Sequence, residues 1–389
     1  MILFTQNQRV KLLLAVLFTL HFSVINAQSK APNGTNYVQT AVPFLTIAPD
    51  SRAGGMGDTG AATSPDANSM HWNPSKFCFI KSESGISVSY VPWLKNLVND
   101  ISLTYLSGFH KLDDKQAIAG SLKYFSLGSI NFFDENSDYV ASSTPNEFAI
   151  DAAYSRKLSD NLSGSIAFRY IRSDIVKAYN NDESTKVGQA FATDISLFYK
   201  NYTRIEQRKL DYSIGLNISN IGSKISYTEG NENFLPMNLK LGTAFTYEID
   251  EYNKFTASID FNKLLVTYDY YEKKTVDDLY KNGNDYGVIE GIFKSFSDSE
   301  DGFIGELREI NISGGLEYIY QNQFAIRAGY FHEHEVNGNR KFFTAGVGIK
   351  FNVFNLDMSY LVATENNNPL QNTLRFSLAF DLKNISKIL

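Results

Sequence analysis

From Gly85 onward the chain repeats one pattern: residues at i, i+2 and i+4 are apolar or aromatic, and those between them are small or polar. Ile86, Val88, Tyr90 is the first such set, followed by Ile101, Leu103, Tyr105 and by Ile118, Gly120, Leu122, Tyr124. Phe148 to Tyr154, Leu162 to Tyr170, Ile195 to Tyr199, Tyr212 to Ile218, Leu241 to Tyr247 and Phe255 to Ile259 continue it, and five more segments run from Ile312 to Leu382. That makes roughly 14 strands of about 8 to 11 residues, the length that crosses a bilayer at a tilt near 45°. The last shows the two-faced character most plainly: Leu374, Phe376, Leu378, Phe380 and Leu382 share one face, and Arg375, Ser377, Ala379 and Asp381 the other. A lipid-facing stripe opposite a small or polar lumenal stripe is what a closed membrane sheet requires, because lipid offers no partner to an open edge.

The connections carry a second, independent signal. Links after even-numbered strands are short: Lys111 to Lys115, Lys157 to Asn161, Asp250 to Asn253, Gln321-Asn322 and Phe351-Asn352. Odd-numbered links are long: Ser126 to Asn146, Ser173 to Gly188, Gly222 to Met237, and Asn262 to Glu309. Short periplasmic turns alternating with long external loops give this rhythm, whereas a secreted sandwich or propeller has no reason to sort its loops by parity. An aromatic share of 14%, from 23 Tyr and 29 Phe, exceeds the needs of an ordinary core and suits girdles at two membrane interfaces. The expected fold is therefore all-β, a transmembrane antiparallel β-barrel.

Ahead of the strands, Arg9 and Lys11 precede an apolar run from Leu12 to Val24 that ends at Ile25-Asn26-Ala27, the pattern of a signal peptide over residues 1–27. Residues 28–84, rich in Gly, Ala, Ser and Asp, hold too little alternation for strands and are expected in the periplasm or as a plug inside the lumen. The barrel spans 85–382, with its longest loop at 263–308 and a short tail at 383–389. The single cysteine, Cys78, rules out an intrachain disulfide. A net charge of −6, without a basic stripe, argues against a nucleic-acid partner.

Chemistry-bearing motifs are few. Gly54, Gly55 and Gly57 follow no strand and no Gly-Lys-Ser/Thr completes them, so they do not read as a phosphate cradle. They open backbone conformations closed to other residues, and Asn73-Pro74 forces an extended or turning chain. Arg52 and Asp66 read either as partners anchoring a plug to a polar lumen wall, where Arg169, Arg327, Arg375 and Asp381 supply charge, or as a solvated pair. His332-Glu333-His334 offers two same-side histidines where zinc requires three or four converging ligands. No Gly-x-Ser-x-Gly elbow occurs, and Ser107 and His110 lie three apart on a strand, on opposite faces. No catalytic residue, metal or cofactor is expected.

The run Pro43-Phe44-Leu45-Thr46-Ile47-Ala48-Pro49-Asp50-Ser51-Arg52-Ala53-Gly54-Gly55-Met56-Gly57-Asp58, continued by Ser64-Pro65-Asp66-Ala67 and Trp72-Asn73-Pro74, resembles the PorV family of type IX secretion outer-membrane proteins, within the broader fatty-acid-transporter-like (FadL-like) barrels. Ser295-Phe296-Ser297-Asp298, Glu306-Leu307-Arg308-Glu309, Arg327-Ala328-Gly329-Tyr330 and Asn368-Pro369-Leu370-Gln371-Asn372 extend the likeness. Asp298-Ser299-Glu300-Asp301 departs from it, where the family favours Pro-Gly. The resemblance implies a non-enzymatic carrier at the cell surface. It would take secreted proteins bearing a C-terminal signal domain from the translocon to the sortase-containing attachment complex, in contact with outer-membrane lipid and lipopolysaccharide. Tyr268, Tyr270, Tyr271, Tyr280, Ile292, Phe293, Phe296 and Phe303 in the long loop are the candidate docking residues, and a loop folded over the barrel mouth is the alternative. Two further functions stay open on the same resemblance: a transporter of a small hydrophobic molecule, and a factor in lipid A deacylation.

Overall fold

The computed structural model describes residues 40–94, 100–134, 136, 138–175, 185–267, 270–272, 279–281, 286–299, 301–364 and 370–382. The signal-peptide segment, Tyr268, Asn368-Pro369 and the 383–389 tail lie outside them. Fourteen strands close into one antiparallel barrel: β1 (Ser84–Pro92), β2 (Ser102–Lys111), β3 (Gln116–Ser126), β4 (Asn146–Lys157), β5 (Leu162–Asp174), β6 (Gly188–Ile205), β7 (Arg208–Gly222), β8 (Asn238–Glu248), β9 (Asn253–Leu264), β10 (Asn311–Tyr320), β11 (Phe324–His332), β12 (Lys341–Phe351), β13 (Phe354–Ala363) and β14 (Leu374–Asp381). Each strand pairs with its neighbours in sequence, and β14 returns to β1 from Gly85↔Asp381 to Tyr90↔Phe376, leaving no edge.

Why these residues make strands is visible on β1, where Val88 is 43% exposed on the outer wall and Ser89 next to it 1% exposed inside. The apolar register faces outward and the small or polar register inward, as lipid demands. β2 is different. Leu103 and Tyr105 point inward and are fully buried, while Leu106 points out. The lumen is apolar at this level: Leu103, Val91, Phe125 and Ile171 pack around Val42, Phe44 and Leu45 of the N-terminal segment, so the interior register here carries hydrophobic side chains. Alternation alone fixed the period of this strand and not its face.

The parity of the connections is as the sequence implies. A two-residue turn joins β6 to β7 through Glu206 and Gln207, at φ 51° and 66°, the doubly left-handed geometry that matches the twist of a two-residue hairpin. On the opposite rim the long connections carry short hairpins, Ile130–Phe133 with Tyr139–Ser143 and Ile225–Thr228 with Asn231–Asn233. The longest holds two helices.

Candidate functional site

Residues 40–83 lie within the ring of inward-facing side chains, touching strands all around the wall. Two one-turn helices, α1 (Ser51–Gly54) and α2 (Ser69–Trp72), order the segment. The Asp50 carboxylate caps α1 by accepting from Ala53 N at 3.0 Å and ties it to α2 by accepting from the Trp72 indole at 2.6 Å.

From α1, Arg52 reaches both its own segment and the wall. Nη1 donates to Asp66 Oδ2 at 2.8 Å and to Ser64 O at 2.9 Å, while Nε and Nη2 donate to the two oxygens of Glu317 on β10 at 3.1 and 2.9 Å. Glu317 also accepts from Arg327 Nε on β11 at 2.7 Å, and Arg327 Nη1 donates to Asp357 on β13 at 2.6 Å. The result is an alternating chain of charge, Asp66, Arg52, Glu317, Arg327, Asp357, in which Glu317 sits between two guanidiniums and is 1% exposed. Two-point contact between planar groups fixes angle as well as distance. Asp66 also accepts from Asn68 N at 2.9 Å, so the group that holds Arg52 shapes the turn before α2.

Close approach explains the glycines. Gly57 has φ +69°, and a Cβ there would lie 2.6 to 2.7 Å from Tyr330 N and O and Gly314 O of the wall; a Cβ on Gly329 would lie 2.0 Å from Gly57 N. The facing backbones therefore meet glycine to glycine. Gly55 faces Gly346 in the same way, at 3.1 Å, and Gly54 sits against the Arg375 side chain. Further along, Asn73 bridges segment and wall: its Nδ2 donates to Ala61 O and to Leu197 O, each at 3.0 Å. Pro74 opens the 3-10 turn Pro74–Phe79, where its missing N–H costs nothing, and its carbonyl accepts from Ser155 Oγ at 2.9 Å.

The other lumenal charges divide. Arg375 pairs with Asp58 of the segment at 3.2 Å. Arg169 instead pairs across the wall with Asp151 at 2.5 Å and Asp194 at 3.0 Å, and Asp381 accepts from Ser82 at 2.6 Å. Glu317 and Asp260, whose carboxylate accepts from Gly60 N and Ala61 N at 2.8 and 2.9 Å, are segment-holding residues that motif reading missed. The signal was present: each is an acid in the inward register of a membrane strand.

On the opposite rim the long loop folds into α3 (Val288–Lys294) and α4 (Gly302–Arg308). Lys263 at the end of β9 pins α4, its ammonium bonding Glu306 at 2.9 Å and Glu309 more closely. That cation bonds two of the three carboxylates of the Asp298, Glu306, Glu309 cluster. Ile292 packs with Phe234, Met237, Leu265 and Val266 instead of facing outward. Phe293 (73% exposed), Phe296 and Phe303 (76%) do face outward, joined by Ile289, Ile304 and Leu307. His334, beside the loop's base, has its pKa lowered by burial and by Arg308. Outside the wall, where β6 and β7 shift register between Thr193 and Ile195, a crevice of about 580 Å³ runs past Phe168, Tyr170, Phe191 and Ile221 to Asp151 and Arg169.

A family model described as type IX secretion system protein PorV matches residues 29–270. No curated protein sequence shows significant similarity to the chain. Among solved structures, the fold is similar to the Pseudomonas putida toluene transporter TodX, at 10% identity and a TM-score of 0.48, covering 90% of this chain and 99% of that one. A Pseudomonas aeruginosa FadL homologue matches at 10% identity and 0.44 over 90% and 100%. LpxR from Salmonella typhimurium matches at 8% and 0.34 over 76% and 99%.

Proposed function

We propose, from the premise that this chain belongs to the PorV family and is an outer-membrane component of the type IX secretion system, that it is a non-enzymatic carrier. It takes substrates bearing the C-terminal signal domain from the translocon and delivers them to the surface attachment complex. The observation that carries this reading is the outward face of α3 and α4. Phe293, Phe296, Phe303, Ile304 and Leu307 stand exposed on a loop that is itself anchored by Lys263 and by the Ile292 cluster. A held scaffold presenting apolar side chains is what capture of a partner requires, since ordering the loop at the moment of binding would cost affinity. With the short turns facing the periplasm, these helices face the cell surface. Residues 28–84 act as a plug in this reading, supported by the contacts of Arg52 and Asn73 with the wall. The test is retention of a tagged C-terminal signal domain by the purified barrel and by its Phe293→Ser and Phe303→Ser variants. Retention that falls at least tenfold supports the reading; undiminished retention by both variants sinks it.

A second reading, transport of a small hydrophobic molecule, is favoured by the crevice at the β6–β7 register shift, whose lipid-side aromatics lead to Arg169. Uptake of a labelled fatty acid into liposomes holding the barrel, abolished by Gly222→Phe, would support it. No uptake above empty liposomes would dismiss it.

A further inference from the structure

Above the N-terminal segment the lumen opens into a cavity of about 140 Å³, floored by Ala48, Asp58 and Trp72 and walled by strand ends. Its lining is mixed: apolar side chains such as Phe331, Phe342 and Leu361 form part of the wall, and Lys240, Arg340 and Arg375 stand beside the acid Asp58. Asn217, Asn220, Asn238, Asn262 and Asn311 contribute carboxamides, each from the outer half of a strand or its end.

Besides Asp58 Oδ1, which is ion-paired with Arg375 Nη1 at 3.2 Å, four polar atoms of this lining are buried with no hydrogen-bond partner among the described residues: Asn217 Oδ1, Asn311 Oδ1, Ser313 Oγ and Arg375 Nε. Asn217 and Arg375 are each 2% exposed and Ser313 is fully buried. Most buried polar groups in a folded protein find partners, so four without one around a single cavity describe the outline of a guest. That guest must donate to the two carboxamide oxygens, accept from the guanidinium Nε, and do either at the serine. A carboxylate or phosphate that only accepts would leave both carboxamide oxygens unanswered, and of the lining cations Arg375 is already paired with Asp58 and Arg340 with Glu333. Hydroxyl groups both donate and accept. The remaining element is aromatic: Lys240 lies 4.4 Å over the Trp72 ring, and Trp93 lines the cavity near the outer rim.

We infer that this cavity is a saccharide site, taking one sugar ring through its hydroxyls from the outer face of the barrel. The sugar comes either free or as the terminal residue of a surface-lipid glycan. The inference does not depend on the carrier reading, because none of its residues belongs to α3 or α4.

The chain has two tryptophans, and both line this cavity, so its tryptophan emission, excited beyond the tyrosine absorption band, reports on the site. The full barrel in detergent is titrated with N-acetylglucosamine, with glucose, with the delipidated glycan of the host's outer-membrane lipid, and with triglycine. A saturable change with a sugar, weakened at least tenfold in both Asn217→Leu and Asn311→Leu, supports the assignment; heat-modifiable gel mobility confirms that each variant is closed. Tighter half-saturation by the glycan than by free sugars assigns the source to surface lipid, and the reverse order assigns it to free sugar. No response to any sugar means the cavity holds only water and overturns the proposal. Response to triglycine alone, or sugar responses unchanged in both variants, overturns it equally.

Discussion

Arg52 and Glu317 are 265 residues apart in sequence and joined by two hydrogen bonds inside the barrel, at 3.1 and 2.9 Å. Because Glu317 is shared with Arg327, removing Arg52 does not simply delete one pair; it leaves Asp66 without that guanidinium and Glu317 with half its compensation. Breaking a buried pair from one side costs on the order of 3–5 kcal/mol, more than removing both charges. Arg52→Ala should therefore raise single-channel conductance or expose residues 28–84 to periplasmic protease, with barrel closure intact. Arg52→Ala combined with Glu317→Gln should be milder. Parent-like current and proteolysis in the single variant would show that Arg52 does not hold the segment.

Gly57 and Gly230 both have positive φ, and they should respond differently to alanine. At Gly230 (φ +82°) nothing lies within 4 Å, so Gly230→Ala should cost only the left-handed backbone, roughly 1–2 kcal/mol. At Gly57 the added carbon meets rigid backbone on two strands, and the segment must move off the wall. Hydrogen exchange of residues 50–60 should rise sharply in Gly57→Ala and stay at parent level in Gly230→Ala. Equal exchange in the two variants would contradict the backbone contact.

Lys263→Ala takes the ammonium from between Glu306 and Glu309. The expected outcome is cleavage by added protease between residues 286 and 310 at least several-fold faster than in the parent, without loss of heat-modifiable mobility. Lys263→Arg should restore much of the resistance, because the charge is kept. An unaltered cleavage rate in Lys263→Ala would mean the Ile292 cluster alone holds the loop.

The short turns carry the pH dependence that can be read from the fold. Asp250 is held below the ordinary aspartate range chiefly by the Asn253 side chain and then by Tyr252 N; Asp113 is held low chiefly by Lys115 N. A carboxylate whose pKa is depressed by folding contributes above its unfolded value and loses that contribution as pH falls through the folded one. Amide protection at Tyr252, Asn253, Lys115 and Gln116 should thus be constant from pH 7 to 5 and drop only below about pH 4. Asp250→Asn should remove the drop at Tyr252 and Asn253, and a drop that persists there would assign it elsewhere.

The barrel was legible because each strand writes its own period locally: Val88 and Ser89 differ as neighbours, and no distant residue is needed to tell wall from lumen. The exception, the inward Leu103 and Tyr105, arises where the lumen is filled by Phe44 and Leu45, and a strand does not encode what will occupy the space behind it. The Arg52 to Asp66 pair was visible because 14 residues separate them. Glu317, Asp260 and the meeting of Gly57 with Gly329 were not, since each joins positions at least 199 residues apart whose proximity exists only once the ring is closed. In the long loop, the run of apolar residues was plain while its division was not. A helical turn sends Val288 and Ile292 toward Phe234 and leaves Ile289 and Phe293 outside.

The bonds of the N-terminal segment also set an order of events. Ser51 N donates to Ser377 Oγ at 2.8 Å, and Arg375 pairs with Asp58, so the strand that seals the cylinder against β1 supplies partners for residues that left the ribosome more than 300 positions earlier. Until β14 arrives, α1 lacks part of its binding surface, and until α1 is seated, Arg375 is a bare cation beside an unfinished seam. Closure and filling are thereby coupled: an assembly machine that releases the barrel only when its last strand zips delivers a protein whose interior is already occupied.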